Sequence, residues 1–92
     1  MLDEMRQVLR YGIFRGDDEL YYIQAYVIQL SKTDAKELMA ETCNWMQQLE
    51  NSSVGGYRKS EYMKLQATLL RALNQEEKAK TLEEQARKVR MS

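Results

Sequence analysis

Residues 60–89, SEYMKLQATLLRALNQEEKAKTLEEQARKV, decide the fold. Two amphipathic patterns meet there at a short polar turn, and Ala67, Ala79 and Ala86 punctuate them at intervals of 12 and 7 residues. An antiparallel helix pair needs small residues where its two axes approach most closely, and this spacing supplies them. The first pattern predicts a helix over about Tyr57 to Leu73, with Tyr62, Leu65, Leu69 and Leu73 on one stripe and Met63, Ala67 and Leu70 adjoining. The second runs from Gln75 nearly to the end. Its seam, Ala79, Leu82, Ala86 and Val89, is narrow and half alanine. Such a seam suits close docking on one neighbour, so the last helix reads as a terminal element with a polar outer face.

Upstream, the run NSSVGG at residues 51–56 is a clear break. Before it, Ala35, Leu38, Met39, Thr42, Trp45, Met46 and Leu49 predict a third helix ending near Glu50. Asp34 with Glu37, and Asn74 with Glu77, have the spacing of capping boxes. The segment from Glu19 to about Ser31 is the most apolar, with little polar face beyond Gln24 and Gln29. A helix apolar nearly all round must be covered on most sides. Either it is central, or part of its tyrosine face awaits a partner. Strand is the rival reading of YYIQAYVIQL, but no second run of that kind exists to pair with it. Asp17 and Asp18 stand where carboxylates cap a helix start. A first helix, Leu2 to Tyr11 or Ile13, presents Leu2, Met5, Leu9 and Ile13 on one stripe beside Val8.

The chain has 92 residues, no proline, four glycines and one cysteine. That length sets one domain at most, and the composition favours helix throughout. We expect a single all-α domain of four to five helices over 1–92: an N-terminal helix or arm (1–16), a first helix pair (17–50) and a second (57–91). Charge cancels overall but not locally. Residues 1–56 carry five Lys/Arg against nine Asp/Glu, and residues 57–92 carry nine against five. Only the last helix, with Arg87, Lys88 and Arg90, has the basic face a nucleic-acid binder uses. Cations near a helix C-terminus also oppose its dipole without any ligand.

The alanine spacing resembles the tetratricopeptide repeat, whose helix pairs carry small residues at fixed positions. A repeat begun at Ser60 puts Ala67, Ala79 and Ala86 on those positions, and Met63 and Leu70 where large apolar residues belong. Glu83 departs from the pattern, standing where a large apolar residue is usual, and no proline closes the unit. A poorer copy from about Asp18 to Gln47 would use Ala25, Ala35 and Thr42, with one interval two residues short. A plain helical bundle also produces such spacing. The resemblance implies that the first helix of each pair lines a groove that grips a peptide. Carried over by position, Tyr22, Tyr26 and Gln29, with Lys64, Thr68 and Arg71, would face it. Tyrosines there would supply rigid area with a polar tip, and the cations would steer acidic groups. The alternative is that the tyrosines are core and the cations merely solvated. In size, composition, apolar second helix and final helix pair, the chain is also similar to the YscG-like chaperones of bacterial type III secretion needles. Those proteins act beside a smaller helical co-chaperone and sequester the needle subunit's apolar C-terminal helix. The resemblance implies a hetero-oligomeric, cytoplasmic chaperone.

Other functions find little in the residues. With no histidine, the commonest general base near neutral pH is missing, and Cys43 alone makes a poor nucleophile. No glycine-rich phosphate loop occurs. We therefore expect no enzyme, no cofactor and no metal site. Asp17/Asp18, Glu76/Glu77 and Glu83/Glu84 are sequence neighbours that diverge on a helix. Arg15-Gly16-Asp17 reads as a turn and cap, and Asn51-Ser52-Ser53 as a polar loop. The start MLDEMRQVLRYG carries acids and no continuous apolar run, unlike a secretory leader, and no stretch reaches the ~18 apolar residues of a membrane span. A protein-binding chaperone or adaptor is the expectation. A small regulatory bundle contacting nucleic acid or a transcription factor through Arg87, Lys88 and Arg90 is the alternative, and a self-associating structural subunit using helix one or helix two is a third.

Overall fold

A computed structural model describes residues 2–91. They form five helices and no strand: α1 (Leu2–Tyr11), α2 (Asp18–Ser31), α3 (Lys36–Ser52), α4 (Gly56–Ala72) and α5 (Glu76–Met91). The run YYIQAYVIQL is helical throughout. The helices make a slab of 35 × 32 × 16 Å, thin enough that every helix keeps a solvent face. The core lies where α2, α3 and α4 meet, built from Leu20, Ile23, Tyr26, Val27 and Leu30 with Met39, Met46, Tyr62, Leu65 and Leu69.

The last helix pair forms as its alanines predict. Helix α5 packs on α4 alone, so its two buried residues, Ala79 and Ala86, are buried against α4. Ala67 is fully buried as well. Two more small residues belong to this seam. A Cβ on Gly56 would run into the Val89 carbonyl oxygen, so glycine is what lets the N-terminus of α4 touch the end of α5. Ser60 is fully buried, and its Oγ is the one buried side-chain oxygen among the described residues without a hydrogen-bond partner. Serine is used here for its size.

The poorer copy of the spacing does not build a second pair of this kind. Helices α2 and α3 meet at few points, each packing chiefly on other helices, and Ala25 is exposed. A small residue facing water cannot be the site of closest axial approach.

The helix ends also differ from the capping-box reading. Asp17 sits at the N-cap of α2 without capping it, because its carboxylate accepts from Arg58 Nε and Nη2 at 3.0 and 2.8 Å. Arg58 also donates to the Gly16 carbonyl at 3.0 Å, tying the α1–α2 loop to α4. At α3 the N-cap is Ala35, not Asp34, and the Ala35 N–H is met by Thr33 Oγ1 at 3.3 Å. Asn74 closes α4 instead of opening α5. Its φ of 62° is left-handed, and the Gln75 N–H reaches the Leu70 carbonyl (2.8 Å) while its own reaches Arg71 (3.0 Å). That pair of bonds is a Schellman ending, in which asparagine substitutes for glycine.

Candidate functional site

Helix α2 buries Leu20, Ile23, Tyr26, Val27 and Leu30, yet its opposite side carries Tyr21, Ala25 and Ile28. These recur at four and three residues and so share one face. Tyr21 is 55% exposed and Ile28 48%. Among the described residues this stripe stays about half exposed. Tyr57, at the start of α4, extends it. Desolvation first, and then the nearby Glu61, Tyr21 and Asp17, raise its pKa above the ordinary tyrosine value. The Arg90 guanidinium stands over the Tyr57 ring, 5.5 Å from its centroid, in cation–π geometry. Residues 57, 61, 64, 68 and 71 then run along α4 as its solvent stripe.

The six residues expected to face a groove do not form one surface. Tyr22 is half-buried and packs against Phe14 in a tilted ring pair, with centroids 5.9 Å apart. Tyr26 is 1% exposed, a core residue that borders water only at the floor of a cleft between α1 and α3. An anchor for a partner must be reachable, so Tyr26 is corrected to core. Gln29 is exposed on α2. Lys64 pairs with Glu61 at 3.4 Å. Thr68 Oγ1 donates back to the Lys64 carbonyl at 3.2 Å. These two and Arg71 share the α4 stripe. Tyr22 turns instead toward Phe14 in the α1–α2 loop and Tyr26 into the core, because neighbouring residues on a helix are ~100° apart. Tyr21, one position earlier than Tyr22, is the ring that faces out.

Arg71 is not a free steering cation. Its Nε lies 3.1 Å from both oxygens of Glu76, and its terminal nitrogens reach Glu83 at 2.5 and 2.6 Å. This forked, charge-assisted arrangement ties the end of α4 to α5, and it accounts for glutamate at position 83. Hydrogen bonding to Arg71 lowers the Glu83 pKa. A carboxylate lowered in the folded state adds stability above its ordinary value of 4.5 and loses it as pH falls through the lowered folded value. Arg71→Gln is therefore expected to be less stable at neutral pH and to show a shallower loss on acidification. Urea unfolding of both chains across that range checks it.

Other chemistry is sparse. Burial raises the Cys43 thiol, whose Sγ lies 3.9 Å from the Gln66 carbonyl, as suits a small apolar contact residue. Gln66 Nε2 donates to Glu50 at 2.7 Å, joining α4 to α3. Among the described residues no group of three or more His, Cys, Asp or Glu could hold a metal, and no helix is long and apolar enough to cross a membrane. Arg87 and Lys88 are exposed, while Arg90 is engaged with Tyr57. No protein-family model, curated protein or solved structure matches the chain.

Reading the residues alone missed Tyr21, Ile28 and Tyr57. On a helix apolar nearly all round, hydrophobicity does not mark which face is left open. The only available signal was the Tyr21–Ala25–Ile28 spacing itself.

Proposed function

We propose that this chain is a small protein-binding chaperone or adaptor that covers an apolar or amphipathic helix of a partner. The observation that carries the reading is the uncovered apolar stripe Tyr21–Ala25–Ile28 on the helix that supplies the core. A partner helix laid along it would bury its apolar face against Tyr21 and Ile28, in the helix-in-groove mode. Tyr57 would pack at one end, and Lys64 and Thr68 would form the polar rim. Rigid aromatic anchors beside a polar rim are the usual anatomy of such contacts. The similarity to needle chaperones suggests a specific partner: a type III secretion needle subunit, held in the cytoplasm together with a co-chaperone as a hetero-oligomer.

Affinity capture from the native cell tests this. The wild-type chain should retain one small helical protein. Tyr21→Asp/Ile28→Asp should lose it by roughly a hundredfold, since two desolvated anchors become charges, at ~1.4 kcal/mol per tenfold. Both sites are exposed, so thermal unfolding of the free variant should stay close to that of wild type. Equal retention by the two chains would overturn the reading.

A further inference from the structure

A second surface lies between α1 and α3, a cleft of about 620 Å³ with Leu9, Tyr26, Leu38 and Trp45 among its lining residues. One wall is α1, which packs only on α2 and has no fully buried residue. The residues α1 turns into the cleft, besides Leu9, are Asp3, Arg6, Gln7 and Arg10. Asp3 makes one long contact, 3.7 Å to Arg6, and Arg10 has no ion pair among the described residues.

That face has a symmetry of its own. The intervals 3, 1 and 3 read the same in both directions. An identical helix laid antiparallel against it about a two-fold axis therefore places Asp3 opposite Arg10 at both ends, while Arg6 and Gln7 each meet their own copies beside the axis. The acid meets the base at both ends, and the two Arg6 side chains that meet at the axis each have their own Asp3 carboxylate close by. The span from Asp3 to Arg10 is two turns, ~10 Å, so the register is short but complete. On the opposite wall, Leu38 and Trp45 offer the incoming helix apolar area, and Glu41 offers a carboxylate to its arginines.

We propose that this cleft is a self-association surface, in which α1 of a second copy docks antiparallel on α1 of the first to give a two-fold dimer. An isologous contact of this kind needs a self-complementary patch, and the Asp3–Arg10 pairing at both ends provides one. It uses none of the residues on the Tyr21–Ile28 stripe, so the dimer and the partner contact stand or fall separately.

Charge reversal tests the pairing. Sedimentation of the wild-type chain at roughly 0.1 mM should show dimer. Asp3→Lys and Arg10→Glu should each weaken it by roughly tenfold or more, because two symmetry-related attractions become repulsions. Mixing the two variants should restore the dimer. The introduced lysine of one chain then faces the introduced glutamate of the other, and the remaining Asp3–Arg10 pair is native. As a check insensitive to the stability of α1, and with Cys43→Ser in both chains to remove the native thiol, Asp3→Cys chains should crosslink through a short bis-maleimide to Arg10→Cys chains and not to their own kind. A monomeric wild-type chain, as expected if the cleft takes only a foreign helix, would overturn the proposal. So would variants that dimerise as well as wild type, or an Asp3→Cys chain that crosslinks to itself as readily as to Arg10→Cys.

Discussion

Ala79→Leu should lower the midpoint of thermal unfolding by roughly 12–24 °C. Ala79 is fully buried, and α5 packs on α4 alone, so the added carbons would point into the closest approach of the two helices. Overpacking costs about 1–3 kcal/mol at a typical core site. Here the upper end is expected, because Ala79 lies on a seam whose other alanines, Ala67 and Ala86, are also fully buried. Gly56 against the Val89 carbonyl shows that the other end of the pair is equally close. At ~4–8 °C per kcal/mol for a domain of this size, 3 kcal/mol gives the stated shift. Lys80→Leu, an exposed change one residue along, should leave the midpoint nearly unmoved. Calorimetry of the two variants checks both, and an Ala79→Leu chain as stable as wild type would remove the close-packed hairpin.

Tyr26→Ala should be the other severe change, and it separates core from anchor. The ring is 1% exposed and belongs to the central cluster with Ile23, Leu30 and Met39. Truncating a buried aromatic to alanine costs about 3–5 kcal/mol. A chain of this length holds roughly 5–14 kcal/mol in all, so the variant should lose between about a fifth and all of its stability. Chemical denaturation gives the value directly. Were Tyr26 a groove residue gripping a peptide, its loss would spare the free chain and weaken only the complex. Tyr21→Ala is the complementary case, with little effect on folding and a large one on partner capture.

The contrast between these two tyrosines shows where the sequence was informative. Helix number, type and approximate bounds were legible because each segment repeats its apolar residues at helical spacing. The alanine seam was legible because small residues at wide, regular intervals have few explanations besides a close helix contact. The facing of α2 was not. When nearly every position is apolar, burial is assigned by which neighbours arrive, and those neighbours are fixed by long-range packing with α1, α3 and α4. Helix ends were misread for a related reason. Asp17 has the chemistry of a cap, but Arg58, 41 residues away in sequence, competes for the same carboxylate and takes it. Asn74 has the chemistry of an N-cap and also of a left-handed C-cap, and a Schellman ending uses the second. The cleft between α1 and α3 has no local signature, since its walls come from helices that are not adjacent in sequence.

The proposed function rests on the α2 stripe, and tyrosine reactivity measures that stripe directly. Oxidative labelling of the free chain should modify Tyr21 and Tyr11, which are 55% and 75% exposed. In the complex captured from the native cell, Tyr21 should be strongly protected and Tyr57 partly so, while Tyr11 keeps its reactivity as an internal control. A complex in which Tyr21 labels as readily as in the free chain would contradict the account.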